Sequence, residues 1–412
     1  MKRVVITGMA GITSLGETAD EIFSNFEAKK NGIRYMPEWD VYPDLRTRLG
    51  GAIDQFTIPS HFTRKVMRGM GRVALMSVIS AEKALEDAQL LDDPIIKSGE
   101  TGVAYGSSAG SVDAVCEMGR MVLEQTMDKM NATTYIRMMA HTSLVNMTVH
   151  FGIKGLSLPT SSACTSGSMS IGQAYEAIKY GKQTVMLAGG AEELSAPSAG
   201  VFDVLMATSG SNDTPEQSPR PFDANRDGLV VGEGAGCLIL EELEHAKARG
   251  AKIYAEIIGY GSNSDGTHVT RPDQNSMAHC MKLALKDAQI SADQIDYVNA
   301  HGTATDHGDV AETQATQEVL GFKPISSLKS YFGHTLGACG AVEAWLSVEM
   351  MKRQKLIPTL NLTHVDPLCG KLDYIVDQLR DVQAHIVMTN NFAFGGINTS
   401  IILKNYEGEN HV

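Results

Sequence analysis

Short apolar runs alternate along this chain with longer segments in which apolar residues recur every three or four positions. The short runs are rich in Val, Ile and Tyr, which favours strands, whereas the longer spacing is typical of helices with one buried face. Strands are predicted at residues 4–6, 102–105, 184–187, 236–240, 255–258, 297–299 and 386–389. Helices are predicted at residues 72–88, 168–180, 276–288, 309–319 and 340–351. This alternation, together with 40 glycines, predicts an α/β protein.

The segment near residue 250 is the best candidate for a boundary between two parts of the chain. A charged helix is predicted at residues 241–249, and Gly250 would end it. The strand-like run that begins at Lys252 is similar to the one that begins at Lys2. We therefore expect two related α/β halves, residues 1–250 and residues 251–412.

Composition and charge narrow the class of protein. The chain has 412 residues, with 43% hydrophobic and 20% charged residues, so it is too long for one small core and ordinary for a soluble globular protein. Its start fits a first strand better than a signal peptide, and no apolar run approaches the length of a membrane span. Six scattered cysteines without a CxxC pair favour a reducing cytoplasm and argue against structural zinc. A net charge of −13 argues against nucleic acid or an anionic membrane as a general partner.

Cys164 occupies a position suited to a nucleophile. A short apolar stretch ends in small residues, Ser-Ser-Ala-Cys164-Thr-Ser-Gly, and a helix-like pattern follows. This predicts a strand, a tight turn and a helix, with the thiol near the helix N-terminus, where the helix dipole favours the thiolate. A lone cysteine is nevertheless more often buried and inert. Only a matching base or proton donor elsewhere in the chain would favour a reactive cysteine over an inert one.

Two histidines lie in similar glycine-rich turns. His301 follows an apolar strand in Asn-Ala-His301-Gly-Thr-Ala-Thr, and His334 lies before a helix in Lys329-Ser-Tyr-Phe-Gly-His334-Thr-Leu-Gly-Ala. Because active sites of α/β folds gather at strand ends, these turns can converge with that of Cys164. Taken singly, each histidine could equally be structural.

A further turn lies in Asn-Phe392-Ala-Phe394-Gly-Gly, after the last predicted strand. One interpretation is a hairpin turn with buried rings. The other is a mobile lid whose backbone N–H groups meet a carbonyl oxygen.

Together these four ordered motifs resemble the signatures of β-ketoacyl-acyl-carrier-protein synthases, in particular the elongating Cys-His-His class. The resemblance extends from the first strand to the last and covers essentially the whole chain. It implies a thiolase-like fold, in which two related halves form a five-layer αβαβα sandwich. It also implies an acyltransferase that joins a cysteine-bound acyl chain to malonyl-carrier protein by decarboxylative Claisen condensation, extending the chain by two carbons in fatty-acid biosynthesis.

The resemblance further implies a role for individual residues. Cys164 would carry the acyl chain, while His301 and His334 would stabilise the enolate formed by decarboxylation. Lys329 would orient His334 and tune its electrostatics. The remaining assignments are an oxyanion hole and gate formed by Cys164, Phe394 and Phe392, pantetheine binding by Thr303 and Thr305, support from Glu343, and an acyl-pocket position at Ala109. We expect no metal and no diffusible cofactor, because the substrates are carried on the phosphopantetheine of the carrier protein.

An acidic carrier protein is the expected partner, which requires a local basic patch on this acidic chain. Arg64, Arg68 and Arg72 recur every four residues, so one helix would place them on one flank, with Lys65 beside them. A charge run is most often a solvated face. The resemblance places this segment at the carrier-docking position and also implies a homodimer, with a heterodimer as the other possibility.

Three departures from the family pattern concern acyl specificity. The candidate lid reads Ala-Phe394-Gly-Gly-Ile-Asn, where the family often has Gly-Phe-Gly-Gly-Thr-Asn. Ala109 replaces a larger aliphatic residue common at this position, and Met206 stands where an arginine is usual. An alternative is therefore a specialised ketosynthase of a polyene or polyketide pathway. A chain-length-factor-like partner subunit is a further alternative, although such subunits characteristically lack the nucleophile. His334 disfavours coenzyme A-dependent thiolases and initiating synthases.

Overall fold

The computed structural model describes residues 1–406. The strands are β1 Val4–Ile12, β2 Arg34–Tyr35, β3 Leu49–Gly51, β4 Thr101–Gly106, β5 Ser157–Thr160, β6 Val185–Glu192, β7 Val231–Gly232, β8 Gly234–Glu242, β9 Ala255–Ser264, β10 Tyr297–Asn299, β11 Pro324–Ser326, β12 Lys355–Leu356, β13 Asp373–Tyr374, β14 Arg380–Asp381, β15 Ile386–Ala393 and β16 Ile397–Asn405. The α-helices are α1 Ala19–Glu27, α2 Arg72–Asp87, α3 Ile95–Ser98, α4 Val112–Glu124, α5 Thr134–Met138, α6 Thr142–Phe151, α7 Ser166–Lys179, α8 Ala196–Asp203, α9 Leu243–Ala248, α10 Gln274–Ala288, α11 Asp306–Leu320, α12 Lys329–Phe332 and α13 Cys339–Arg353. Within residues 1–406, no helix has the length and apolar character needed to cross a membrane.

One long sheet links the two parts of the chain, in the order β13-β11-β10-β15-β16-β9-β1-β8-β6-β4-β5. Its N-terminal strands, β5, β4, β6, β8 and β1, and its C-terminal strands, β9, β16, β15, β10, β11 and β13, meet where β1 pairs antiparallel with β9. Within these two parts, β4 pairs parallel with β5 and β6, and β10 pairs parallel with β11 and β15.

The central strands β4, β6 and β15 are buried on both faces, and successive side chains of a strand point to opposite helix layers. Val103 and Tyr105 of β4 pack in the cluster that includes α2 and α6, whereas Ala104 between them packs with α7 and α13. In the C-terminal part, Val298 packs with α10 and α11, while Tyr297 beside it joins the central cluster. Because α7 and α13 contact strands of both parts, they form a middle layer. The predicted five-layer αβαβα sandwich is confirmed.

All the strands and helices predicted from the sequence are present, several of them longer than expected. The prediction of a helix over residues 241–249 is wrong at its start, because Glu241 and Glu242 end β8 and α9 begins at Leu243. The carboxylate of buried Glu241 accepts hydrogen bonds from Thr7 and Arg249, which compensates for a charge inside the sheet. The predicted boundary near residue 250 falls between α9 and β9, and the division into residues 1–250 and 251–412 stays a prediction.

Candidate active site

Cys164 lies in a sharp turn between β5 and α7. A 3-10 turn, Ala163–Thr165, connects the strand to the helix, and Ala163 adopts a left-handed φ of 51°. Neighbouring Gly167 is needed because a Cβ there would lie 2.9 Å from the carbonyl oxygen of Gly337. The predicted strand, turn and helix are therefore present, with the thiol two residues before α7 and only 4% of Cys164 exposed.

Burial and the groups around Cys164 act in opposite directions on its thiol. Burial raises the pKa of Cys164 to about 11. The charge of Lys329 and backbone hydrogen bonds from Phe394 and Cys164 act in the opposite direction without overcoming the loss of water. The backbone N–H groups thus favour the thiolate as predicted, but burial outweighs them and the net pKa is raised.

The turn that carries His301 follows β10 and is held by a buried carboxylate. Glu312 of α11 accepts hydrogen bonds from the backbone N–H groups of His301 and Gly302, both at 2.7 Å. Only 2% of Glu312 is exposed, and burial raises its pKa to about 8. Sequence reasoning missed this residue. An acid eleven positions after a histidine carries no signal that the two meet, because the contact depends on how α11 packs.

His334 lies between α12 and the 3-10 turn Leu336–Ala338. Its Nδ1 accepts a hydrogen bond of 3.3 Å from the backbone N–H of Leu336. An accepting Nδ1 leaves the hydrogen of a neutral imidazole on Nε2. Nε2 is buried and has no partner among the described residues, so it is free to donate to a substrate.

The three turns converge as the sequence predicts. The Sγ of Cys164 and one ring nitrogen each of His301 and His334 lie within 4.8 Å of one another. The two imidazole rings meet edge to face, with their centroids 5.1 Å apart. Burial, followed by the charge of Lys329, lowers the pKa of both histidines well below the ordinary value. The site thus combines a thiol with two neutral imidazole donors. Such a set could also ligate a metal ion, and the absence of a metal requirement stays a prediction.

A buried ion pair lies behind the histidines. Nζ of Lys329 lies 2.5 Å from Oε1 of Glu343, and the two side chains are at most 1% exposed. The other carboxylate oxygen accepts a hydrogen bond of 2.8 Å from Asn391 at the end of β15. Burial opposes the charge of Lys329, but the Glu343 carboxylate and other nearby acidic groups hold its pKa above the ordinary value. Lys329 is therefore a cation that donates its hydrogen bond to Glu343 and acts on both histidines through its electric field.

A cavity of about 390 Å³ leads from the surface to Cys164. Thr303 and Thr305 lie along it, with their hydroxyl oxygens 3.0 Å apart. Phe392 and Phe394 belong to the β15–β16 hairpin, so the turn is a hairpin, although Phe392 is buried and Phe394 is only half-buried. The tip also lines the cavity, which is compatible with a lid. The assignments of these residues to pantetheine binding and to the gate stay predictions.

The basic segment is not one helix. Val66–Gly69 forms a 3-10 turn, and α2 begins only at Arg72, because the chain is extended at Met70 and Gly71. Arg64, Lys65 and Arg68 are exposed. Arg72 instead forms two hydrogen bonds of 2.8 Å with buried Glu233, so the prediction that it shares a free flank with the others is wrong.

Ala109 is also placed differently from the expectation. It is exposed, and it does not line the cavity that contains Cys164. The turn after β4 directs it outward, so a single chain gives no support to its assignment to the acyl pocket.

Comparisons with known proteins agree with this site. The N-terminal domain of β-ketoacyl synthases matches residues 1–246 and the C-terminal domain matches residues 254–363. The 3-oxoacyl-[acyl-carrier-protein] synthase 1 of Haemophilus influenzae is 38% identical over 99% of this chain and 100% of its own length. A β-ketoacyl synthase structure from Burkholderia phymatum is 57% identical, with a TM-score of 0.98, and the match covers 99% of this chain and 100% of that one. A type II polyketide ketosynthase in complex with its acyl-carrier protein is 31% identical, with a TM-score of 0.87 and coverage of 98% and 100%.

The five-layer fold and its buried thiol with two neutral imidazoles define a condensing acyltransferase of the thiolase-like class. Both domain matches and the full-length relatives identify the group within that class. The chain belongs to the β-ketoacyl synthase family.

Proposed function

We propose that this chain is a 3-oxoacyl-[acyl-carrier-protein] synthase that extends an acyl chain by two carbons. The observation that carries the proposal is the convergence of Cys164, His301 and His334 at the end of the cavity. The cysteine sulfur and one ring nitrogen of each histidine lie within 4.8 Å of one another. The relative from Haemophilus influenzae carries the same name, which supports this reaction.

The first step transfers the acyl chain to Cys164. The sulfur attacks the thioester carbonyl of the acyl-carrier protein, the new C–S bond forms, and the carrier thiol leaves with the proton that Cys164 gives up. We assign stabilisation of the oxyanion to the backbone N–H groups of Cys164 and Phe394, which lower the pKa of the thiol and so favour negative charge at this position. Because burial keeps Cys164 protonated at rest, proton transfer accompanies the attack.

The second step forms the carbon–carbon bond. Malonyl-carrier protein loses CO2, and the electron pair of the broken bond becomes an enolate on the thioester. His301 and His334 donate hydrogen bonds to the enolate oxygen, for which the free Nε2–H of His334 is suited. The carbanion then attacks the acyl carbonyl carbon on Cys164, and the C–S bond breaks with its electron pair on sulfur. The thiolate takes up a proton from water, and the 3-oxoacyl-carrier protein leaves.

The carrier protein and a second copy of this chain are the proposed partners. Arg64, Lys65 and Arg68 offer exposed positive charge to an acidic carrier, and a related ketosynthase has been observed with its carrier bound. The site requires no diffusible cofactor for either step. A cytoplasmic location is in keeping with six free cysteines.

A specialised polyene or polyketide pathway is the less favoured alternative. The polyketide ketosynthase is 31% identical to this chain, against 57% for the β-ketoacyl synthase structure. A non-catalytic partner subunit is disfavoured because the nucleophile and both histidines are present and converge.

Reconstitution tests the proposal. Purified protein is incubated with malonyl-carrier protein and a panel of saturated and unsaturated acyl-carrier proteins, and product masses are measured. Cys164→Ala should abolish acyl-enzyme formation and condensation. Cys339→Ala is the matched control, because Cys339 is a second buried thiol whose Sγ lies 3.1 Å from the carbonyl oxygen of Cys164. Condensation by Cys164→Ala, or no condensation by the wild-type chain with any acyl donor, would contradict the proposed function.

A further inference from the structure

A second buried carboxylate lies where the two parts of the chain meet beside the active site. Glu192 ends β6 and is 2% exposed. Its Oε1 accepts a hydrogen bond of 3.1 Å from the hydroxyl of Ser107. Its Oε2 accepts hydrogen bonds from the backbone N–H of Ser108 at 2.8 Å, from the hydroxyl of Ser108, and from the backbone N–H of Gly337 at 3.1 Å. All four partners are donors, so the site is built for a carboxylate.

The bond to Gly337 connects Glu192 to the turn that carries His334. Gly337 lies three residues after His334, and its surroundings are closely packed. A Cβ on Gly190 would lie 2.3 Å from the carbonyl oxygen of Gly337, and a Cβ on Gly167 would lie 2.9 Å from it. Since Gly167 belongs to the first turn of α7, the His334 turn lies directly against the segment that presents Cys164. Glu192 therefore bonds to the His334 turn at the place where it meets the nucleophile's helix.

The negative charge of Glu192 is costly in free energy at this position, because the carboxylate is removed from water. Burial raises the pKa of Glu192 to about 7, and its hydrogen bonds offset only part of the loss of water. Within residues 1–406 no lysine or arginine forms an ion pair with it. Glutamine would fit the same space with its amide nitrogen toward the hydroxyl of Ser107, but its neutral oxygen would be a weaker acceptor for the donors of Ser108 and Gly337. A carboxylate is thus the side chain that binds these donors most strongly.

We propose that Glu192 is a positioning residue for decarboxylation and condensation, which holds the turn after His334 against the Cys164 segment. Through Gly337 it fixes the backbone around Leu336, whose N–H in turn orients the His334 ring. Loss of the carboxylate should let the imidazole move away from the enolate oxygen. This inference rests on the proposed function, because it assigns the effect to one of its two steps.

Glu193 provides a matched control. It is the next residue, 8% exposed, and its carboxylate accepts hydrogen bonds from the hydroxyl of Ser111 and from the backbone N–H groups of Val112 and Val73. All three partners lie before residue 164, so Glu193 holds the starts of α2 and α4 rather than the His334 turn. Glu192→Gln and Glu193→Gln therefore remove equivalent buried charges with different neighbours.

The test compares the two variants in separate half-reactions. Glu192→Gln should lower kcat for malonyl-carrier decarboxylation about tenfold or more, because displacements of about 1 Å at a reacting group have effects of this size. Its KM for malonyl-carrier protein should change little, because Glu192 does not line the cavity. Glu193→Gln should keep the wild-type kcat while losing thermal stability to a similar extent. Wild-type kcat in Glu192→Gln, or an equal loss in both variants, would overturn the proposal.

A second measurement applies if Glu192→Gln does not fold. Ser107→Ala combined with Ser108→Ala removes two of the four bonds and leaves the carboxylate in place. This pair should lower the decarboxylation kcat by a smaller factor than Glu192→Gln, and an unchanged kcat would overturn the proposal. Wild-type condensation, measured in parallel, separates a failure of this inference from a failure of the proposed function.

Discussion

At the scale of single residues, one charge acts on every reactive group of the site. Burial is the main influence on the pKa of Cys164, His301 and His334, and the charge of Lys329 is the next in each case. The carboxylate of Glu343, whose Oε1 lies 2.5 Å from Nζ of Lys329, stabilises that buried charge. The Lys329–Glu343 pair thus sets the protonation of groups that it does not touch.

Lys329→Met tests this role. Removal of the cation should raise the pKa of both histidines, so the acid limb of malonyl decarboxylation should move to higher pH. The direction follows because protonation of Nδ1 of His334 removes the acceptor of the Leu336 N–H. The variant should also lose about 3–5 kcal/mol of unfolding free energy, because Glu343 is left buried without its partner. The pH profile of kcat and urea unfolding measure the two effects.

A double variant separates the two effects. Lys329→Met with Glu343→Gln removes both charges and keeps an acceptor for Asn391, so most of the lost stability should return. The shifted acid limb should remain, because the cation is still absent. An acid limb that returns with the stability would contradict an electrostatic role for Lys329.

At the scale of elements, the tip of the β15–β16 hairpin depends on two glycines with left-handed backbones. Gly395 and Gly396 have φ values of 89° and 71°. A Cβ on Gly395 would meet open space, whereas a Cβ on Gly396 would lie 2.8 Å from Cβ of Asp265. Both substitutions strain the backbone by about 1 kcal/mol. Only one of them also displaces the tip.

Gly396→Ala should therefore slow acyl transfer to Cys164 more than Gly395→Ala. The displaced tip carries the N–H of Phe394, and loss of one oxyanion donor typically costs about 100-fold in rate. The measurement is the rate of acyl-enzyme formation by mass spectrometry. Equal effects of the two variants would mean that backbone strain alone, rather than the position of the tip, limits the rate.

In the segment before α2, we expect one arginine to act in docking of the carrier protein and another to act in stability of the fold. Arg68→Ala should raise the KM for acyl-carrier protein and weaken its dependence on salt, because the side chain is exposed. Arg72→Ala should instead lower the free energy of unfolding by about 1 kcal/mol, because it removes the cation beside buried Glu233, whose carboxylate keeps hydrogen bonds from the backbone N–H groups of Ile53 and Leu194. Acyl-pantetheine, which lacks the carrier protein, is the control substrate for Arg68→Ala. An equal rise in its KM would contradict a docking role.

The elements were easier to predict than their ends. Tyr297–Asn299 matches its prediction at both ends because its apolar run is short and bounded. The first strand was expected to end at Ile6, but β1 continues through Gly8 to Ile12. Gly8 lies inside this strand. A glycine is needed there because a Cβ would lie 2.2 Å from the carbonyl oxygen of Ala84 in α2. Such close packing of a helix on a strand has no local signal.

The residues of the site likewise divide into those that the sequence predicts and those that it does not. Cys164, His301 and His334 could be predicted because each lies in a motif of small residues with a recognisable family pattern. Glu312 and Glu192 could not, because each acts by bonding the backbone of a turn distant in the sequence or brought close by packing. The net pKa of Cys164 could not be predicted for a related reason: burial, which depends on the whole fold, outweighs the local effect of the backbone N–H groups.

At the scale of the whole molecule, two features of the N-terminal part have the character of an interface. β5 is an outer strand of the long sheet and pairs only with β4 among the described strands. Helix α4, which belongs to the same part of the chain, exposes large apolar side chains, including Val122 and Leu123 at 75% and 84%. An open sheet edge and exposed apolar residues are features that proteins usually cover. We expect a second copy of this chain to cover the exposed face of α4.

Leu123→Asp tests the homodimer. A charge at the centre of an apolar contact should separate the copies, so the mass measured by light scattering after size-exclusion chromatography should fall from two chains to one. Phe322→Asp is the matched control, because Phe322 is 72% exposed and follows α11 in the C-terminal part. It should remain a dimer. A wild-type chain that is a monomer at micromolar concentration would contradict the homodimer and leave the heterodimer as the assembly to test. A dimer that persists in Leu123→Asp would place the interface on a surface other than α4.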